Sequence, residues 1–218
     1  MKTLIICICL FGFSFSVTGQ QRLVLADAVK QGSLKIFNRK VYLEKESTGS
    51  FIRISQDQGE GLVWLPVKDF HTGTIAVEMR GKNVMQQNFL GIAFNGINNS
   101  TYEAVYCRPF NFFATDSVRR VHAIQYISHP TFTWSFLRAQ YNGQYENEMA
   151  KPPDPDGWFK LTLVVKPDEV VVFINNDRQP SLQVKRLGNH GGGGVALFVA
   201  STSGGDFSVI DIVNTPAG

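Results

Sequence analysis

The stretch from Arg108 to Arg138 holds most of the side chains able to do chemistry: Arg108, Asn111, Arg119, Arg120, His122, Gln125, Tyr126, His129, Trp134 and Arg138. Phe110, Phe112, Phe113, Phe132 and Phe136 are set between them. Flat aromatic faces beside forked donors suit a sugar, whose C–H face stacks on a ring while its hydroxyls donate and accept. A guanidinium is always charged and planar, which also suits a carboxylate-bearing sugar. Arg108, Asn111, Arg120, Gln125, Tyr126, His129 and Trp134 are therefore expected to bind substrate. His122 and Glu103 are the acid–base candidates, because burial can move either group toward neutral pH. The competing reading gives the phenylalanines to the core and the arginines to a sheet edge.

Other chemistries find less support. A glycosidase with two carboxylates needs them about 5–5.5 Å apart to retain configuration, or about 6.5–9.5 Å apart to invert it. No Glu-x-Asp-x-x-Glu strand is present, and Glu78 and Glu103 stand alone on separate segments, with Asp206 in a closing turn. Glu78 and Glu103 meet only if their strands pair. His122 and His129 fall on opposite faces of a single strand, so a shared metal needs a bend near Pro130. The Cys-x-x-Cys, His-Glu-x-x-His and EF-hand patterns are missing, and no metal site is expected from side chains. No Gly-x-Ser-x-Gly elbow occurs, and Gly191–Gly194 leads into Val195 rather than a Lys-Ser/Thr helix, so it reads as a connector and not a phosphate loop.

These side chains must be held by strands. Ile75, Val77 and Met79 alternate with Thr74, Ala76, Glu78 and Arg80. Asn88–Asn95 is an apolar run that ends on Asn-Gly. Tyr102, Ala104, Tyr106 and Arg108 share one face, against Glu103, Val105 and Cys107 on the other. His122, Ile124, Tyr126 and Ser128 are expected together, opposite Ala123, Gln125 and Ile127. Trp158–Val165 and Val170–Asn175, joined by Lys166-Pro-Asp-Glu169, read as a hairpin with proline at the second turn position. Val195–Ala200 and Phe207–Val213 complete the set. The best helical candidate, Leu25–Gly32, is too short to organise a fold. Many short strands punctuated by Gly, Asn, Asp and Pro predict an all-β, two-sheet antiparallel sandwich. Lys151–Gly157 is a loop within one domain spanning residues 20–218, since the part beyond it is too small to cover a sandwich face. Asn98-Asn-Ser and Asn99-Ser-Thr match the N-glycosylation pattern but suit a hairpin turn.

The 218 residues are 44% hydrophobic and 18% charged, with a formal charge of +3, and 17 of them are Phe. That is too apolar for a disordered chain, and the diffuse charge makes no case for nucleic acid. Met1–Gly19 reads as a secretory signal peptide, with Lys2 before an apolar Leu4–Val17 run and cleavage near Gly19. The mature chain then has no membrane span and a secreted or periplasmic location. Its single cysteine, Cys107, reads as a buried small hydrophobe that cannot form an internal disulfide.

The closing segments, Gly157-Trp-Phe-Lys-Leu-Thr-Leu-Val-Val, Val-Val-Val-Phe-Ile-Asn-Asn, Gly-Val-Ala-Leu-Phe-Val and Phe207-Ser-Val-Ile-Asp-Ile, resemble the last strands of concanavalin A-like and laminin G-like jelly rolls. With Phe70-His-Thr-Gly-Thr-Ile-Ala-Val-Glu-Met-Arg, Tyr106-Cys-Arg-Pro-Phe-Asn-Phe and Arg119-Arg-Val-His-Ala-Ile-Gln-Tyr-Ile-Ser-His-Pro, the chain is similar to secreted bacterial 3-keto-disaccharide hydrolase domains, which are family 16 glycoside-hydrolase-like. The resemblance implies a jelly roll that binds a glycoside and acts on a 3-keto sugar, where one base and one electrophilic Arg or metal suffice. It also leaves room for a calcium ion held by backbone carbonyls and one Asp. Fold alone does not decide function. The alternatives are a non-catalytic glycan- or protein-binding module and a purely structural envelope protein.

Overall fold

In a computed structural model of the chain, residues 19–188 and 191–215 are described. The expected leader lies outside them, apart from Gly19. The N-terminal half runs β1 (Gln20–Val24), helix α1 (Leu25–Lys30), β2 (Lys35–Phe37), β3 (Val41–Glu46), β4 (Gly49–Ile54), β5 (Gly61–Trp64) and β6 (Thr72–Arg80). Next come β7 (Leu90–Asn98), β8 (Thr101–Cys107), a 3-10 turn at Pro109–Asn111, helix α2 (Ser117–Arg120) and β9 (Ile124–His129). Helix α3 (Trp134–Gln140) and β10 (Glu146–Asn147) precede β11 (Trp158–Val165) and β12 (Glu169–Ile174). β13 (Leu182–Lys185), β14 (Gly194–Val199) and β15 (Gly205–Thr215) follow.

Two antiparallel sheets form a sandwich, as the turn-punctuated strands predict. One runs β13-β12-β11-β6-β15-β4-β3, with β1 paired to β15; the other runs β10-β9-β8-β7-β14-β5-β2. Ile75, Val77 and Met79 on β6 meet Ile92 and Phe94 on β7 in one apolar layer, with Phe159, Leu161 and Leu163 from β11. Burying each such side chain contributes roughly 1.5–3 kcal/mol. The β11–β12 hairpin is closed by the Lys166 amide donating to the Glu169 carbonyl (2.9 Å), across the Pro-Asp connection. Glu78 faces Lys160 across the β6–β11 pair, in the sheet that does not contain Glu103, so those two carboxylates do not meet. The Asn98 side chain caps the β7–β8 turn by accepting from the Ser100 amide at 2.8 Å.

On the outer face of the first sheet, the register aligns Trp158, Arg80, Asp206, Arg53 and Tyr42 in one row. Arg53 and Arg80 both grip the Asp206 carboxylate, each by two hydrogen bonds of 2.8–3.1 Å. Among the described residues, no helix is long and apolar enough to cross a membrane.

Candidate functional site

The outer face of the second sheet carries a cleft of about 710 Å³, within the range of small-ligand sites. Strand alternation supplies its floor. Tyr102, Ala104 and Tyr106 of β8 stand opposite His129, Ile127 and Gln125 of β9, and Arg108 continues the same face beyond the strand end. Gly91 sits between Phe198 and Tyr106 in the register, and with no side chain there the two rings approach to 5.3 Å. Phe89, Phe110 and Trp134 add aromatic wall, and Trp134 is 48% exposed. It begins α3, whose first turn is capped by the Thr133 hydroxyl accepting from the Phe136 amide. The Arg138 guanidinium, one turn on, lies 5.3 Å from the centre of the Trp134 ring.

A polar network crosses this wall. The side chain of Arg108 is nearly buried and donates to the His122 carbonyl (2.8 Å), Tyr106 Oη (2.9 Å) and Gln125 Oε1 (3.0 Å). Asn111 Nδ2 donates to the same His122 carbonyl (3.3 Å), and Arg119 donates to the Phe110 carbonyl (3.0 Å) and Asn111 Oδ1 (3.3 Å). Glu146, opposite Gln125 in the β9–β10 pairing, sends its carboxylate into this group. Its Oε2 lies 3.0 Å from Arg138 Nη2, 3.9 Å from Arg108 Nη1 and 2.7 Å from His122 Nδ1. The last approach is off the line of the ring N–H, so His122 Nδ1 has no directed hydrogen bond. Burial lowers the His122 pKa, and Arg138 and Arg108 add to that against the opposing pull of Glu146.

A second cluster surrounds Glu60, which also lines the cleft. Tyr102 Oη donates to Glu60 Oε2 (2.5 Å), and His129 Nε2 lies 3.1 Å from Oε1. Burial pushes this carboxyl up, but His129 and the Tyr102 hydrogen bond outweigh it and hold the pKa below the ordinary carboxylate value.

Of the expected residues, Arg108, Asn111, His122 and Trp134 line the cleft, and Gln125 and His129 share its face in contact with lining groups. Arg120 turns away to Glu148 (2.7 Å) and the Ala114 carbonyl (3.2 Å). Glu103 and Tyr126 require correction. Both point between the sheets, where Tyr126 donates to Glu103 at 2.6 Å and Arg186 pairs with Glu103. Glu103 and Val105 share a parity opposite to Tyr106, so a buried Glu103 is a core carboxylate. His122 does not share the Tyr126 face because it precedes β9, in the turn after α2, where the period-two count does not apply.

Sequence reasoning missed Glu60 and Glu146. Glu60 sits just before a four-residue strand and Glu146 in a two-residue one, both too short to show a pattern. Tyr106 was legible as a strand residue on its face and Phe89 as part of the Asn88–Asn95 run, which becomes strand only from Leu90, but neither was legible as cleft wall. Among the described residues, no three His, Cys, Asp or Glu side chains converge as a metal site. No Asp lines the cleft, its one lining carboxylate, Glu60, is engaged by Tyr102 and His129, and Glu146 behind the wall is held by Arg138. The residues of the cleft do not fit a calcium ion.

No family profile and no curated protein sequence matches this chain. Several solved structures do match in shape. The VIP36 exoplasmic/lumenal domain, in a form bound to calcium and Man3GlcNAc, superposes with a TM-score of 0.56 at 12% identity over 86% of each chain. A Bacillus subtilis protein of unknown function with a galectin-like fold gives 0.56 at 11% identity, over 89% of this chain and 96% of that one. A native glycosidic hydrolase gives 0.58 at 10% identity, over 94% and 100%. At such identities the likeness establishes the lectin-like sandwich fold, in agreement with the concanavalin A-like architecture expected from the closing strands.

Proposed function

We propose that this protein binds a carbohydrate in the cleft over β7, β8, β9 and β14. The observation that carries this reading is the juxtaposition of a half-exposed Trp134 ring with the Arg108, Asn111, Arg119 and His122 donors in one cleft of about 710 Å³. A sugar needs both an aromatic face and convergent hydrogen-bonding groups. The Man3GlcNAc-bound neighbour and the glycosidic hydrolase neighbour support it, since both use the same fold. Residues 20–218 act as one domain, exported by the Met1–Gly19 leader. Glycan-array screening followed by calorimetry tests the reading. Trp134→Ala should weaken the best ligand about tenfold while leaving the melting temperature unchanged, because the ring is half in solvent. Silence across the array, or full affinity in the variant, overturns it.

A second reading, cleavage of a 3-keto-glycoside, is favoured by one observation: His122 lines the cleft as a depressed-pKa imidazole 2.7 Å from a buried carboxylate. A neutral His122 removes the proton beside the keto group, a neighbouring guanidinium stabilises the enolate, and the proton returns to the departing glycosidic oxygen. Glu146 rather than Glu103 is the carboxylate beside this base. Release of aglycone from a 3-keto-glucoside, abolished in His122→Ala, supports the reading; binding without turnover leaves the protein a lectin-like module.

A further inference from the structure

Three guanidinium groups, Arg108, Arg119 and Arg138, line the cleft, and the carboxylate nearest to them, Glu146, is buried behind Arg108 and Arg138. Arg138 and Arg108 share that carboxylate, and His122 crowds it from a third side. Arg119 has no acidic partner among the described residues and meets only the Phe110 carbonyl and the Asn111 side-chain oxygen. The carboxylate that lines the cleft, Glu60, is engaged by Tyr102 and His129. The arginine wall therefore holds an excess of positive charge, carried by the half-buried Arg119. His122 lies in the same group, with its Nδ1 2.7 Å from the Glu146 carboxylate.

Resting on the carbohydrate-binding reading above, we infer that the sugar carries an anionic group, a carboxylate or a sulfate, seated against Arg119 beside His122. An anion there completes the charge balance, and the fork of Arg119 matches a pair of acidic oxygens. A neutral sugar leaves the excess unrelieved. The adjoining Trp134 and Phe110 rings then hold the apolar face of the same sugar unit or its neighbour.

The test is calorimetry of the full chain with matched pairs: an oligouronide against its carboxyl-reduced form, and a sulfated oligosaccharide against its desulfated form. The acidic member of at least one pair should bind about tenfold more tightly than its neutral partner. That gap should narrow when salt is raised from about 20 to about 150 mM, and should shrink at least about fivefold in Arg119→Gln. Which pair shows the gap identifies the anion. Equal affinity within both pairs overturns this inference while leaving the carbohydrate reading intact. A gap that survives Arg119→Gln overturns the placement of the anion. Failure of every acidic and neutral glycan to bind defeats the carbohydrate reading itself.

Discussion

Glu103 lies wholly inside the sandwich, and all its polar contacts are donors: Arg186 through Nε (3.1 Å) and Nη2, Tyr126 Oη (2.6 Å) and Asn95 Nδ2 (3.4 Å). Tyr126 in turn accepts from the Leu187 amide at 3.0 Å, so the network pins the loop after β13 to β9. Glu103→Ala strands a buried guanidinium and should lower unfolding free energy by about 3–5 kcal/mol, read from urea midpoints. Adding Arg186→Met should recover part of that loss. His122 gives a different prediction. Its folded pKa is depressed, so between its ordinary value of about 6.5 and the lower folded value the unfolded chain takes up a proton that the folded chain refuses. Stability should therefore fall as pH drops below about 6.5, and His122→Gln should flatten that fall in melting curves. The pairing of Tyr102, Tyr106 and Arg108 on one face was readable from alternation alone. The partners of His122 and Glu103 were not, because parity within a strand does not say which face meets the other sheet.

Elements with a strong period were legible and elements without one were not. The β11–β12 hairpin, β6 and β8 follow directly from alternating apolar residues and turn chemistry. The segments between β8 and β9 and between β9 and β10 carry α2, α3 and much of the cleft wall, yet they show no repeat in the sequence. Their conformation depends on tertiary bonds such as Arg108 to the His122 carbonyl and Arg119 to the Phe110 carbonyl. Within β7, Gly91 is set by the closeness of its neighbour: a Cβ there would fall 2.0 Å from the Val105 carbonyl oxygen. Gly91→Ala should separate β7 from β8 and cost roughly 1–3 kcal/mol. It should also speed amide exchange along that pair, which hydrogen-exchange mass spectrometry reads directly.

The molecule as a whole has a core formed by two sheets, with Cys107 buried within it as a small apolar group. Burial pushes the Cys107 thiol well above its ordinary value, so it should stay unlabelled by a thiol reagent in the native state. Peptide mapping should show it becoming labelled only over the denaturant range in which the sandwich unfolds; labelling under native conditions would mean that this end of the core opens locally. The cleft has a different vulnerability. Glu146 belongs to a two-residue strand at the margin of its sheet, secured by a short pairing with Gln125 and Ile124. Fraying of that margin withdraws the carboxylate and leaves Arg108, Arg138 and His122 facing one another across a vacated position. On the inferred anion-binding reading, the affinity of this wall for an acid seated on Arg119 is linked to the order of a single edge: the looser the edge, the greater the uncompensated charge beside that seat.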